Sequence, residues 1–241
     1  MNAVLETKVF DLRQLAAAPD ADAVVVIDVL RAFSTAAVAF DRGVRQIFPV
    51  QRVEEAFERR ERNPDLILMG EQDCHPISGF DLGNSPVAAS QFPFEGRTAV
   101  QRTTAGTRGL VTCGDAPALF AASFLVVGAT VAALRALACR RVAFVITGTV
   151  HYGSADEDLA CAEWMEGLLC GQSPDAGPFL QRVKESVAAA NFLDSDSPLY
   201  APDDIAFCAG ANQMAFAMRA TRKDQDLVLR RERIHSSSQG Q

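Results

Sequence analysis

The feature that most limits how this chain can fold is a rhythm of short apolar runs separated by longer segments of helical pattern. The runs are AVVVID (23–28), VRQIFPV (44–50), LILMG (66–70), RTAVQR (97–102), LFAAS (119–123) and RVAFVIT (141–147). Several are rich in β-branched residues and lack strict alternation, which fits strands buried on both faces. Between them, RAFSTAAVAFDRG is alanine-rich and stops at Gly43, and VEEAFERRER (53–62) reads as a charged helix. A short helix is expected after 103–107, and further helices over 124–138, 156–170, 178–191 and 204–219. The alternation predicts an α/β fold, layered α/β/α around a mostly parallel or mixed sheet. Residues 1–219 read as a single domain. The charged, Ser- and Gln-rich segment 220–241 reads as a polar tail, partly disordered. No internal repeat is visible.

Composition narrows the partners. Of 241 residues, 49% are hydrophobic and 22% charged, which excludes wholesale disorder. Acidic residues outnumber basic ones 30 to 23, for a net charge of −7. Such a chain has no global field for nucleic acid or an anionic membrane, so an anionic ligand needs a local basic site or a metal. Six cysteines without a C-x-x-C and only three histidines argue against zinc and for reduced thiols in the cytoplasm. The N-terminus shows no signal-peptide pattern. Ala116 to Leu134 carries no charge and is nearly long enough to span a bilayer. With Pro117, Ser123, Gly128 and Thr130 inside it, the stretch reads instead as a strand followed by a helix. The sequence is compatible with a homo-oligomer.

Polar, glycine-containing segments sit where the expected strands end, at Asp28, Glu71, Thr103 and Gly148. In an open parallel sheet such ends share the edge where ligands bind. Asp28 closes a buried strand and must meet a metal, a helix N-terminus or an arginine, with Arg31 the nearest. Glu71, Asp81 and Asn84 supply hard oxygen donors of the kind Mg²⁺ takes. Ser85 precedes Pro86 as a helix N-cap. In T-T-A-G-T-R (103–108), hydroxyls, amides and Arg108, with Arg102 beside them, could cradle an oxyanion, though a Thr-capped helix start explains the same residues. In H-Y-G-S-A-D-E-D (151–158), the acids suit the first turn of a helix, and Glu157 or Asp158 could equally act as metal ligand or general base. No Walker loop, G-x-S-x-G elbow or cysteine-phosphatase loop is present. Leu30 stands where haloacid-dehalogenase-type phosphatases carry a second aspartate.

Taken in order, V-V-I-D-V-L-R-A (25–32), G-E (70–71), G-F-D-L-G-N-S-P (79–86), T-T-x-G-T-R (103–108) and S-x-x-E-D (154–158) resemble the 2-phosphosulfolactate phosphatase family. The octapeptide is the most specific piece, and the order holds from about residue 22 to 170, more loosely to 219. The resemblance implies an α/β fold of its own class. It also implies Mg²⁺-dependent hydrolysis of 2-phospho-3-sulfolactate to sulfolactate and phosphate, a step toward coenzyme M or sulfolactate. By position it implies catalytic roles for Asp28, Arg31, Glu157 and Asp158. Asn84, Ser85, Thr103, Thr104, Thr107 and Arg108 would meet a small anionic phosphorylated substrate, and Asp28, Glu71 and Asp81 would hold the metal. Attack by activated water and direct attack by Asp28 both remain open. The chain departs from the family pattern at Ala105, usually Asn, at T-G-T-V-H-Y (147–152), and at Cys161-Ala162-Glu163. These departures motivate a second reading, a non-catalytic anion-binding or regulatory member of the same scaffold.

Overall fold

In the computed structural model, residues 5–148, 155–190, 192 and 201–233 are described. Among them the strands, in chain order, are β1 (Glu6–Asp11), β2 (Ala23–Ile27), β3 (Gln46–Val50), β4 (Ile67–Gln72) and β5 (His75–Pro76). They continue with β6 (Thr98–Arg102), β7 (Leu119–Ala122), β8 (Arg141–Ile146), β9 (Phe216–Lys223) and β10 (Asp226–Arg233). The helices are α1 (Ala32–Asp41), α2 (Val53–Arg62), α3 (Pro86–Gln91), α4 (Gly106–Thr112) and α5 (Val127–Ala136). After these come α6 (Asp156–Leu169), α7 (Gly177–Glu185), α8 (Val187–Ala190) and α9 (Pro202–Cys208).

All ten strands join one sheet in the order β1-β8-β2-β7-β9-β10-β3-β6-β4-β5. The apolar runs became its interior as their composition requires. Every residue of β2 and β7 is buried, and Val25 lies opposite Phe120 on one side and Phe144 on the other. The sheet is mixed. β1, β8, β2 and β7 are mutually parallel, and so are β3, β6 and β4. Between the groups stand β9 and β10, antiparallel to each other and to the strand each meets. Three reversals separate β7 from β3, so the two parallel groups run in opposite senses along the ladder. The single shared edge of an all-parallel sheet therefore does not describe this molecule.

The helices bring the two groups' functional ends together. α1 is buried along nearly its whole length, which its alanine content permits. Gln101, near the end of β6, donates to the Ala32 carbonyl at the start of α1 at 2.9 Å. α4 lies directly on β2. A Cβ at Gly109 would fall 2.6 Å from Val26 Cγ1, and one at Gly106 would fall 2.7 Å from Asp28 Oδ2. Glycine at these positions is what lets the turn after β6 approach the end of β2.

Three expectations need correction. The helix expected over 204–219 is only α9, and β9 begins at Phe216. The expected boundary at 219 falls inside β9, and the expected tail contains β10, with Leu227, Val228 and Leu229 buried in the sheet. Asp224 takes the left-handed turn conformation (φ 57°) that closes this hairpin, a conformation aspartate tolerates better than most residues. Helix 178–191 is broken at Ser186, whose backbone is extended between α7 and α8. By contrast, 116–134 divides as expected into β7 and α5, joined through a short 3-10 turn. Among the described residues no helix is long and apolar enough to cross a membrane.

Candidate active site

Asp28 leaves the sheet at the end of β2, where its N–H donates to the Ala122 carbonyl at 3.2 Å. Its Oδ1 accepts from the Ala32 N–H at 2.9 Å, occupying one of the amides left unpaired at the start of α1. The side chain is almost fully buried. Burial, then the negative charges of Asp158 and Glu71, push its carboxyl up to about 7 against the opposing pull of Ala32 N–H and the Thr147 hydroxyl.

Asp158 and Glu157 enter from the first turn of α6. Asp158 accepts from Val29 N–H (2.8 Å), Thr147 N–H and hydroxyl (both 3.1 Å) and Gly148 N–H (3.2 Å). It thus ties the ends of β2 and β8 to α6. Burial and the Glu157 charge still carry it up to about 7. Glu157 is also buried, and its Oε2 has no hydrogen-bond partner. Burial, with the charges of Asp28 and Asp156 added, raises it to about 7 as well, against the Ser186 hydroxyl and its own backbone amide. Three buried carboxylates so close in field cannot all ionise cheaply without a proton or a cation among them.

Beside this acidic group lies a buried cation. Arg31 donates through Nη1 to Asp204 Oδ2 at 2.7 Å, and its guanidinium lies over the Phe192 ring, 4.9 Å from the centroid. Ser85 donates to the other oxygen of Asp204 at 2.7 Å while capping α3 through the Ala88 N–H. The buried Cys208 thiol feels the charges of Asp204, Arg31 and Asp28 together, which places the two groups side by side. Asp204 was not singled out from sequence. In P-D-D it reads as an ordinary first-turn acid, and its partners lie 119 and 173 residues away.

The threonine turn is held by its own hydroxyls. Thr103 N–H donates to Thr107 Oγ1 at 2.9 Å, and Thr107 N–H returns the bond to Thr103 Oγ1 at 3.0 Å. Thr104 bonds Glu71 through its N–H (2.6 Å) and hydroxyl (3.1 Å), and Cys74 N–H adds a third bond at 2.6 Å. Glu71 thereby clamps the end of β4 to the turn after β6, within the field of Asp28. Asn84 is buried with its Oδ1 unpartnered.

Two expected residues stand apart. Asp81 is exposed, ion-paired to Arg60, and accepts from the Leu68 N–H at 2.8 Å. The set Asp28, Glu71 and Asp81 is not assembled, because the Asp81 carboxylate is spent holding its own loop. Arg108 acts on Asp11 at the end of β1. Among the described residues, no three His, Cys, Asp or Glu side chains cluster tightly enough to hold a metal by themselves. The altered loop bearing His151 lies outside the described residues.

This geometry belongs to a stretch of chain with recognisable kin. A family model described as 2-phosphosulpholactate phosphatase matches residues 10–223. A protein of Bacillus subtilis (strain 168) named probable 2-phosphosulfolactate phosphatase is 34% identical over 200 residues, covering 83% of this chain and 87% of that one. Proteins with the same name from Clostridium perfringens (strain SM101) and Thermotoga petrophila are 37% and 33% identical, over 61% and 68% of this chain and 60% and 70% of their own. The match spans β1's last residues through β9 and includes every residue of the buried acidic group and of the Arg31–Asp204 pair, and on that ground the chain belongs to the 2-phosphosulfolactate phosphatase family.

Proposed function

We propose that this protein is a phosphoric monoester hydrolase that cleaves 2-phospho-3-sulfolactate to sulfolactate and phosphate. Family membership supports the reaction. The observation that carries the assignment to these residues is the burial of Asp28, Glu157 and Asp158 together beside a buried guanidinium. Buried acids with strongly perturbed protonation cluster at functional sites, and phosphoryl-transfer sites use such acids to hold a cation or to orient the nucleophile.

The residues suit Mg²⁺. Glu157 Oε2 is an orphaned buried oxygen, and Asp28 is close enough to raise it. Mg²⁺ commonly takes only one or two carboxylates, with phosphate and water completing its shell, so a three-residue cluster is not required. Asp28 and Glu157 would hold the ion. When bound, it supplies charge neutralisation and Lewis-acid polarisation of the phosphoryl oxygens. Arg31 binds and orients the phosphoryl group from the other side. Asp158, saturated by four donors, fixes the loops that carry Asp28 and Thr147 rather than exchanging protons. With Asp28 committed to the ion and its Oδ1 bonded to Ala32 N–H, the reading favours water as the nucleophile.

The test is phosphate release by the purified protein from 2-phospho-3-sulfolactate, phospholactate and an aryl phosphate, with and without Mg²⁺. Mg²⁺-dependent release, fastest from the first, is expected. Failure to release phosphate from any of the three would favour the non-catalytic, anion-binding reading that Ala105 motivates.

A further inference from the structure

We infer that Asp204 is a positioning residue that sets the pose of Arg31 and Ser85 for the anionic substrate, so that the first turn of α9, with Phe192, completes the active site. The inference rests on the functional reading above only for what Arg31 grips. Asp204 has no solvent exposure, and both oxygens are committed: Oδ2 to Arg31 Nη1, Oδ1 to the Ser85 hydroxyl and, at 3.1 Å, to the Val87 N–H. One carboxylate thus joins the residue before α1, the cap of α3 and the first turn of α9. Leu30 packs on Ala189, Phe192 and Ile205, and Phe192 lies against the guanidinium. Arg31 is therefore held from two directions, by the Asp204 carboxylate and by the Phe192 ring.

A long arginine side chain loses several rotatable bonds' freedom when it grips a ligand, and an acid that fixes it beforehand removes that cost from the reaction. The same acid balances the guanidinium charge while it waits in a buried site. Ser85 and Val87 N–H satisfy the second oxygen, as a carboxylate buried this deeply requires, and in doing so they fix the start of α3 relative to the guanidinium. Asp204 touches no reacting atom and acts through Arg31.

The experiment combines kinetics with chemical labelling in the full-length protein. Asp204→Asn, Arg31→Lys and the double variant are compared for kcat and KM. Phenylglyoxal modification of Arg31 is followed by peptide mass spectrometry in the wild type and Asp204→Asn. Asp204→Asn is expected to lower kcat/KM at least about tenfold and to speed Arg31 labelling severalfold, and the double variant to be no worse than Arg31→Lys alone. Should Asp204→Asn not fold, Asp204→Glu keeps the charge and displaces the carboxylate, and the same losses are expected at near wild-type thermal stability. Equal labelling of Arg31 with and without the Asp204 carboxylate, or losses that multiply in the double variant, would overturn the inference. If the wild type releases no phosphate at all, the functional reading fails and the labelling comparison alone decides this one.

Discussion

At the residue scale, burial assigns different work to carboxylates that look alike in sequence. Asp28 and Glu157 are shut away from water, Glu157 with its Oε2 unpartnered, whereas Asp81 is exposed and held by Arg60 and the Leu68 N–H. Asp28→Asn and Glu157→Gln should each lower kcat on the order of 10²–10³-fold, as loss of a charge-stabilising group does. Asp81→Asn should stay within about twofold of wild type in activity and lose roughly 1 kcal/mol of stability. Steady-state kinetics with thermal melts on the three variants checks both statements. The same burial makes stability depend on pH. Asp28, Glu157 and Asp158 hold their protons in the folded protein to about 7, while the unfolded chain releases them near 4. Between those values the folded state binds more protons, so stability falls as pH rises and levels off above 7. Without divalent cation, Tm should drop from pH 5 to 7.5, by roughly 2–4 °C for each kcal/mol lost. A Tm that climbed over this range would show that the three acids are not buried as described.

Single elements explain why some of this could be read from sequence and some could not. β2, β7 and β8 were legible because strands covered on both faces must be continuously apolar. Ser85 was legible because a cap is a local device, and it caps α3 as expected. β1 and β10 were not, because β1 has no fully buried residue and the short apolar run of β10 is bounded by Asp226 and a run of charged residues, so both mimic a solvated segment. Asp204 was hidden because tertiary partners, not neighbours, give it meaning. The threonine turn shows both sides. Its placement after β6 was expected, but its hydroxyls turn out to bond one another. What brings that turn to Asp28 is the missing side chain at Gly106. Gly106→Ala would drive a methyl into Asp28 Oδ2 and Ala32 Cβ. The expected cost is about 1–3 kcal/mol of stability and at least about tenfold in kcat, because small displacements of reacting groups are expensive. Denaturant melts and kinetics on this variant test the point, and wild-type behaviour would mean that α4 does not press on Asp28.

At the scale of the whole molecule, two parallel groups of opposite sense need a bridge, and the β9–β10 hairpin is it. β9 pairs with β7 and β10 with β3, so the chain's last described strands join halves built from residues 6–146. A chain truncated after Arg219 should therefore lose its cooperative thermal transition, as judged by calorimetry or circular dichroism, whereas a dispensable tail would leave it intact. The end of β2 brings an acid from one group, and α4 brings a turn from the other, into a buried setting where charges act strongly. Asp28 is placed at the heart of a phosphatase site, and phosphate release from 2-phospho-3-sulfolactate with Mg²⁺, run side by side on the wild type and Asp28→Asn, decides whether it belongs there. Rapid release by the wild type and near-complete loss in a variant that still folds are expected. Equal rates from the two proteins would remove Asp28 from the site.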